Sequence, residues 1–143
     1  MSAKTQGFSY LLFLVCEEEQ VIKTRGKVFR IPPGHYVYVG SCGLSCSARI
    51  TRHFKRKKKL FWHIDFLTRA CRPVGVVTLA VEEKSLARTL TSLTYIEGFG
   101  CTDDREAPSH LFRASPIQVL DLLVTKRFRE KQRSQSSSFL KSE

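Results

Sequence analysis

The chain has 143 residues, 42% of them apolar, which suits one domain built round one core. Lys and Arg number 24 against 13 Asp and Glu; a net charge of +11 points to a polyanionic partner, because clustered cations release counterions from phosphates. The longest apolar run, Tyr10 to Val15, is far short of the roughly 20 residues that span a bilayer, so no membrane partner is expected. No signal peptide is evident, and the expected location is cytoplasmic.

Ser9 to Cys16 is a short apolar run with aromatic content, read as a buried strand. Glu17 to Gln20 is a polar turn. Val21 to Ile31 holds two alternating pieces around Gly26, as a strand or small hairpin would. After Pro32-Pro33, the segment His35 to Ser41 alternates, with His35, Val37 and Val39 on one face and Tyr36 and Tyr38 on the other. A three-stranded antiparallel meander is the simplest assembly.

Ser45 or Ser47 caps a helix expected to reach Lys59, with Ile50 and Phe54 as its apolar stripe and Arg49 and His53 sharing another face. Leu60 to Cys71 reads as a second helix with Phe61, Ile64 and Leu67 inward; Trp62 reads as core, with stacking on an extruded base as the alternative. Val74 to Val81 is a β-branched strand, and Glu82 to Leu93 a helix with Leu86, Leu90 and Leu93 inward. A polar loop follows, then a short strand over His110 to Ala114. Ser115-Pro116 opens a last helix to about Phe128. The domain is therefore expected over 1–128, with a disordered basic, Ser-rich tail over 129–143. The class is α+β, a small mainly antiparallel sheet flanked by helices.

Five cysteines at irregular spacing suit a reducing cytosol better than a disulfide framework. Cys42 and Cys46 would make half a zinc site with His53 or Cys101, but no second short-spaced pair exists, so small semi-buried residues are the preferred reading.

The positive charge is concentrated. Arg49, Arg52, Lys55, Arg56, Lys57, Lys58 and Lys59 follow one another within eleven positions, with His53 among them, just after the tyrosine-rich strand. A solvated helix face is the plain account of such a run; its position favours phosphate contact. A surface that cuts phosphodiesters needs hydroxyls to orient water, a guanidinium to hold phosphate charge and a carboxylate to hold a metal. Strand tyrosines, a helix arginine and a later helix glutamate would make that set. His63 and Asp65 are too close in sequence to face each other on a helix, so a structural hydrogen bond of the pair to a neighbouring loop is expected first and substrate contact second. Asp103, Ser109 and His110 form a further group, with Ser109 and His110 expected to cap a loop or touch a phosphate.

The segment "GHYVYVGSCGLSCSARITRHFKRKKKLFWHIDFL" resembles an uncharacterised, largely archaeal branch of the GIY-YIG endonuclease superfamily, also found appended to endonuclease III-type repair enzymes. "GFGCTDDREAPSHLF" resembles the second hallmark of that branch; with the opening strand, the similarity covers residues about 8 to 113. The resemblance implies a GIY-YIG nuclease-like fold and cleavage of DNA dependent on Mg²⁺ or Mn²⁺. It places the second signature at Tyr38-Val39-Gly40 and the first tyrosine at Tyr10, and makes Gly34-His35-Tyr36 a chance mimic. The helix arginine falls on Arg49, a histidine on His53, and the metal-binding glutamate on Glu83, with Glu82 as fallback. Arg52, Lys55 to Lys59, His63, Ser109 and His110 would contact nucleic acid; DNA is the expected partner, RNA the alternative, and association with repair enzymes is a further implication. Four features differ from the branch; one is that Asp104 and Glu106 stand where the branch often has cysteines, which makes a cysteine-based metal site a lesser expectation. Glu83-Lys84-Ser85-Leu86 stands where the branch has Glu-Cys-Glu-Leu, Phe8 stands near the glycine of the first signature, and Tyr10 lies 28 positions before Tyr38, beyond the usual short hairpin. A catalytically silent nucleic-acid-binding module on the same fold is the second reading.

Overall fold

A computed structural model describes residues 7–24, 26–100 and 104–126. The proposed tail, Cys101, Asp103 and the expected helix end at Phe128 lie outside the described residues. The order is β1 (Ser9–Cys16), β2 (Gln20–Thr24), β3 (Lys27–Ile31), β4 (Gly34–Ser41), α1 (Cys46–Phe54), α2 (His63–Ala70), β5 (Arg72–Leu79), α3 (Glu83–Thr89), β6 (Thr94–Tyr95), β7 (Leu111–Arg113) and α4 (residues 116–126). This is a small α+β fold. No helix among the described residues is long and apolar enough to cross a membrane.

The main sheet has the order β5-β1-β4-β7-β6, and every pairing is antiparallel. The expected meander is corrected here. β2 and β3 turn at Gly26, which takes a φ of +73°, and form a two-stranded sheet of their own. β4 then returns directly beside β1, so the excursion of this hairpin accounts for the long interval between Tyr10 and Tyr38.

β1 and β4 are apolar on both faces because both faces are covered. Tyr10, Leu12, Leu14, Tyr36 and Tyr38 pack with Ile22, Phe29 and Ile31 of the hairpin and with Ile64 and Leu67 of α2. Leu11, Phe13, Val37 and Val39 pack on the other side against Leu86, Ala87 and Leu90 of the α3 region and Val119 of α4. β5 is an edge strand, which is why it tolerates Pro73 within its length.

Both early helices are shorter than periodicity suggests. Ser45 caps α1 by accepting from the Ala48 amide at 3.2 Å, and the helix stops at Phe54. Lys58 folds back and donates from Nζ to the carbonyls of Arg52 and His53, satisfying helix-end acceptors. The buried residue of α1 is His53; Ile50 is half-buried, and Phe54 is exposed instead of forming part of a core stripe. α2 starts only at His63 because Asp65, in its first turn, accepts from the backbone amides of Phe61 and Trp62. Phe61 and Trp62 therefore precede the helix and lie outside the core, which corrects their reading as inward-facing.

Four cysteines are paired, Cys16 with Cys71 and Cys42 with Cys46, correcting the expectation of free thiols. Spacing along the chain gives no hint that the end of β1 abuts the residue closing α2. The second pair also removes the zinc alternative, since its two sulfurs bond each other.

Candidate active site

Tyr10 near the start of β1 and Tyr38 towards the end of β4 lie on the same sheet face, with ring centroids 6.4 Å apart. Tyr10 lies opposite Gly40, and the approach is so close that a Cβ on Gly40 would stand 2.1 Å from Tyr10 Cζ. Glycine after Tyr38-Val39 is thus a steric requirement of Tyr10. Tyr36 points its hydroxyl elsewhere, donating to the Pro32 carbonyl at 2.5 Å, so Gly34-His35-Tyr36 takes no part in the site.

At this end of the sheet lies a cavity of about 430 Å³, lined among others by Tyr10, Tyr38, Ser41, Arg49, Glu83 and His110. Residues separated by up to a hundred positions thus meet. Arg49 reaches it from α1 and donates from Nη1 to the Ser41 carbonyl at 3.0 Å. Glu83 enters from the first turn of α3, its side chain 27% exposed, whereas Glu82 is exposed and does not line the cavity. Burial raises the Glu83 pKa, opposed by His110 whenever its ring is protonated, a hydrogen bond from the Ser41 backbone and the charge of Arg49.

His110 is fixed by its backbone, its carbonyl accepting from Val39 at 2.8 Å and its amide donating to Phe99 at 2.9 Å. Its Nε2 meets Asp104 Oδ2 at 2.9 Å, both side chains buried. Burial alone would push the Asp104 pKa up, but the bond from His110 and those from the Ala107 and Glu106 amides hold it below the usual range. An ionised Asp104 only accepts, so Nε2 carries the proton and Nδ1 is left facing Glu83 Oε1 at 3.9 Å. Asp104 is thus the acid partner of His110; its spacing of six, across a loop, is no recognisable motif.

Both phenols keep their protons at neutral pH. Burial raises the pKa of Tyr10, with Arg49 opposing, and raises that of Tyr38 well above 10. A protonated phenol can donate a hydrogen bond but is no unassisted base at neutral pH. His53 is 1% exposed and lies behind Tyr10, its Nε2 2.6 Å from the Tyr10 hydroxyl. Burial, reinforced by the charge of Lys58, lowers its pKa to about 4. His53 therefore orients Tyr10 as a neutral ring and does not line the cavity. His63 does, with Nδ1 accepting from the Gly100 amide at 3.0 Å, the neighbouring-loop bond expected of it.

The basic run divides in two. Arg52 forks onto the buried Asp65 at 3.2 and 2.9 Å and also donates to the Lys59 carbonyl; Lys58 donates to Thr68 Oγ1 at 2.6 Å besides the end of α1. These two are consumed by the fold. Lys55, Arg56, Lys57 and Lys59 are exposed and remain available to a phosphate backbone. Ser109 is fully buried, its hydroxyl donating to the Leu111 carbonyl and accepting from the Leu111 amide, so it offers nothing to a ligand.

No curated protein and no solved structure matches the chain. The profile of a family described as a domain of unknown function, DUF123, matches residues 9–133, which include every described residue of the cavity. By that match over most of its length, the chain belongs to the DUF123 family.

Proposed function

We propose that the chain is a GIY-YIG-type endonuclease that hydrolyses phosphodiester bonds in DNA with one divalent metal ion, in DNA repair or processing. The observation that carries this reading is the meeting of Tyr10, Tyr38, Arg49, Glu83 and the Asp104–His110 pair on one cavity beside a cationic surface.

The donor set suits Mg²⁺ or Mn²⁺ and no softer metal. Among the described residues no group of three or more His, Cys, Asp or Glu forms a metal cage. A hard cation that keeps most of its waters needs only one carboxylate, Glu83, with substrate phosphate oxygens completing its shell. When bound, it would neutralise charge that builds on the phosphoryl oxygens. The protein groups supply the rest. Arg49, held by Ser41, presents a fixed guanidinium to a non-bridging oxygen. The Tyr10 and Tyr38 hydroxyls donate hydrogen bonds that orient water and phosphate. His110, with its tautomer set by Asp104, offers Nδ1 to the proton of the attacking water as the new phosphorus–oxygen bond forms and the bond to the leaving oxygen breaks.

The test is nicking of supercoiled and branched DNA with Mg²⁺ or Mn²⁺ by wild type, Arg49→Ala, Glu83→Gln and His110→Asn. Product from wild type, cut at least about a hundredfold in each variant while DNA binding persists, is the expected result. The altered segment Glu83-Lys84-Ser85, with one carboxylate fewer than the branch, favours a second reading as a silent binding module. Binding without product in any form would establish that one.

A further inference from the structure

The connection between α1 and α2 leaves two large aromatic side chains on the surface, Phe61 at 70% exposure and Trp62 at 47%. Neither has a part in the chemistry above. Both line the candidate cavity, and Phe61 also lines a second cleft of about 370 Å³ shared with Arg52, Lys55, Lys57, Lys58 and Lys59. The aromatic pair thus stands where a strand following the lysines would enter the cavity.

Its backbone is tied by hydrogen bonds. The backbone amides of both residues donate to Asp65, which Arg52 grips with two bonds. The Arg52 guanidinium stands 5.4 Å from the Phe61 ring centre and 5.3 Å from that of Trp62, and Arg49 lies 5.3 Å from Trp62. Partly exposed aromatic rings held among cations beside a basic surface are the parts from which single-strand sites are built, because every base has a face to stack. In a duplex those faces are occupied by neighbouring bases, and the rings would meet only sugar and phosphate.

We propose that Phe61 and Trp62 form a stacking platform for an unpaired nucleobase, so that the cavity takes a nucleic-acid strand with at least one base outside its duplex. This rests on the nucleic-acid reading of the cavity.

Trp62 is the only tryptophan of the chain, so its emission reports on the platform directly. The full chain is titrated, with divalent metal chelated so that no cleavage occurs, against a single-stranded DNA oligonucleotide, the blunt duplex of the same sequence and an abasic strand of equal length. The base-bearing strand should quench emission and bind about tenfold more tightly than the abasic one; the duplex should leave emission unchanged. Phe61→Leu should weaken the base-bearing strand about tenfold and spare the abasic strand, and Phe61→Tyr should restore it. Equal quenching by all three ligands, or a Phe61→Leu variant that binds like wild type, overturns the platform alone. Absence of binding by any of them overturns the platform and the nucleic-acid reading together.

Discussion

A buried imidazole with a single side-chain hydrogen-bond partner resists a second proton. His53 meets the Tyr10 oxygen on one side, and its Nδ1 has no partner among the described residues. Its pKa falls from 6.5 to about 4 on folding, chiefly because burial penalises the cation. The unfolded chain therefore takes up this proton at a higher pH than the folded one. Stability from this residue is complete above pH 6.5 and is lost as pH falls through about 4, a change of about 3 kcal/mol. Urea unfolding at pH 7 and pH 4 should show that loss in wild type and a clearly shallower one in His53→Gln. Tyr10, Tyr38, Arg49 and Glu83 were legible because phosphodiester cleavage asks for hydroxyls, a guanidinium and a carboxylate, and the resemblance of two segments supplied the positions. Asp104 was not, since a loop carboxylate acquires meaning only when the backbone bonds of His110 aim an imidazole at it.

Among the elements, the α1–α2 connection departs furthest from what periodicity suggests. Five consecutive cations, Lys55 to Lys59, invite a reading as one continuous basic helix. Chain reversal is favoured instead, because Lys58 and Arg52 find acceptors that a straight helix would deny them: the last carbonyls of α1, Thr68 and the carboxylate of Asp65. Such long-range acceptors cannot be seen in local propensity. Asp65 is fully buried, so removing its partner strands a charge in the interior. Arg52→Ala should cost about 3 kcal/mol, near the lower end for breaking a buried pair, since the guanidinium itself is partly exposed. Lys57→Ala, on the exposed part of the same run, should change stability by no more than about 0.5 kcal/mol. Urea midpoints of the two variants separate cations used by the fold from cations left for a ligand.

Across the molecule, every strand but β6 was readable from short apolar or alternating runs, and the α+β class followed from them. What alternation could not supply was pairing. Nothing in the run from Ser9 to Ser41 says that the middle pair of strands leaves the sheet and lets β4 close on β1, and nothing in five scattered cysteines says which of them meet. The two disulfides that result do different work because the chain lengths they close differ.

Cys16–Cys71 spans 55 positions and ties the end of β1 to the residue closing α2, so it restricts a large part of the unfolded chain. Chain-entropy arguments give such a loop about 4 kcal/mol. Cys42–Cys46 spans 4 positions, for which the same argument gives about 2 kcal/mol. Its place is more telling than its size, for it braces the turn between Ser41 and α1, the two ends of the bond that aims Arg49 into the cavity. Replacing Cys16 and Cys71 by serine should therefore lower the unfolding free energy by about twice as much as replacing Cys42 and Cys46. The short-range pair should show the larger fall in DNA cleavage per folded molecule. Urea unfolding of the two double variants, set beside their nicking rates under conditions where both are fully folded, tests the division; equal stability losses, or a greater cleavage defect in the Cys16 and Cys71 variant, would refute it.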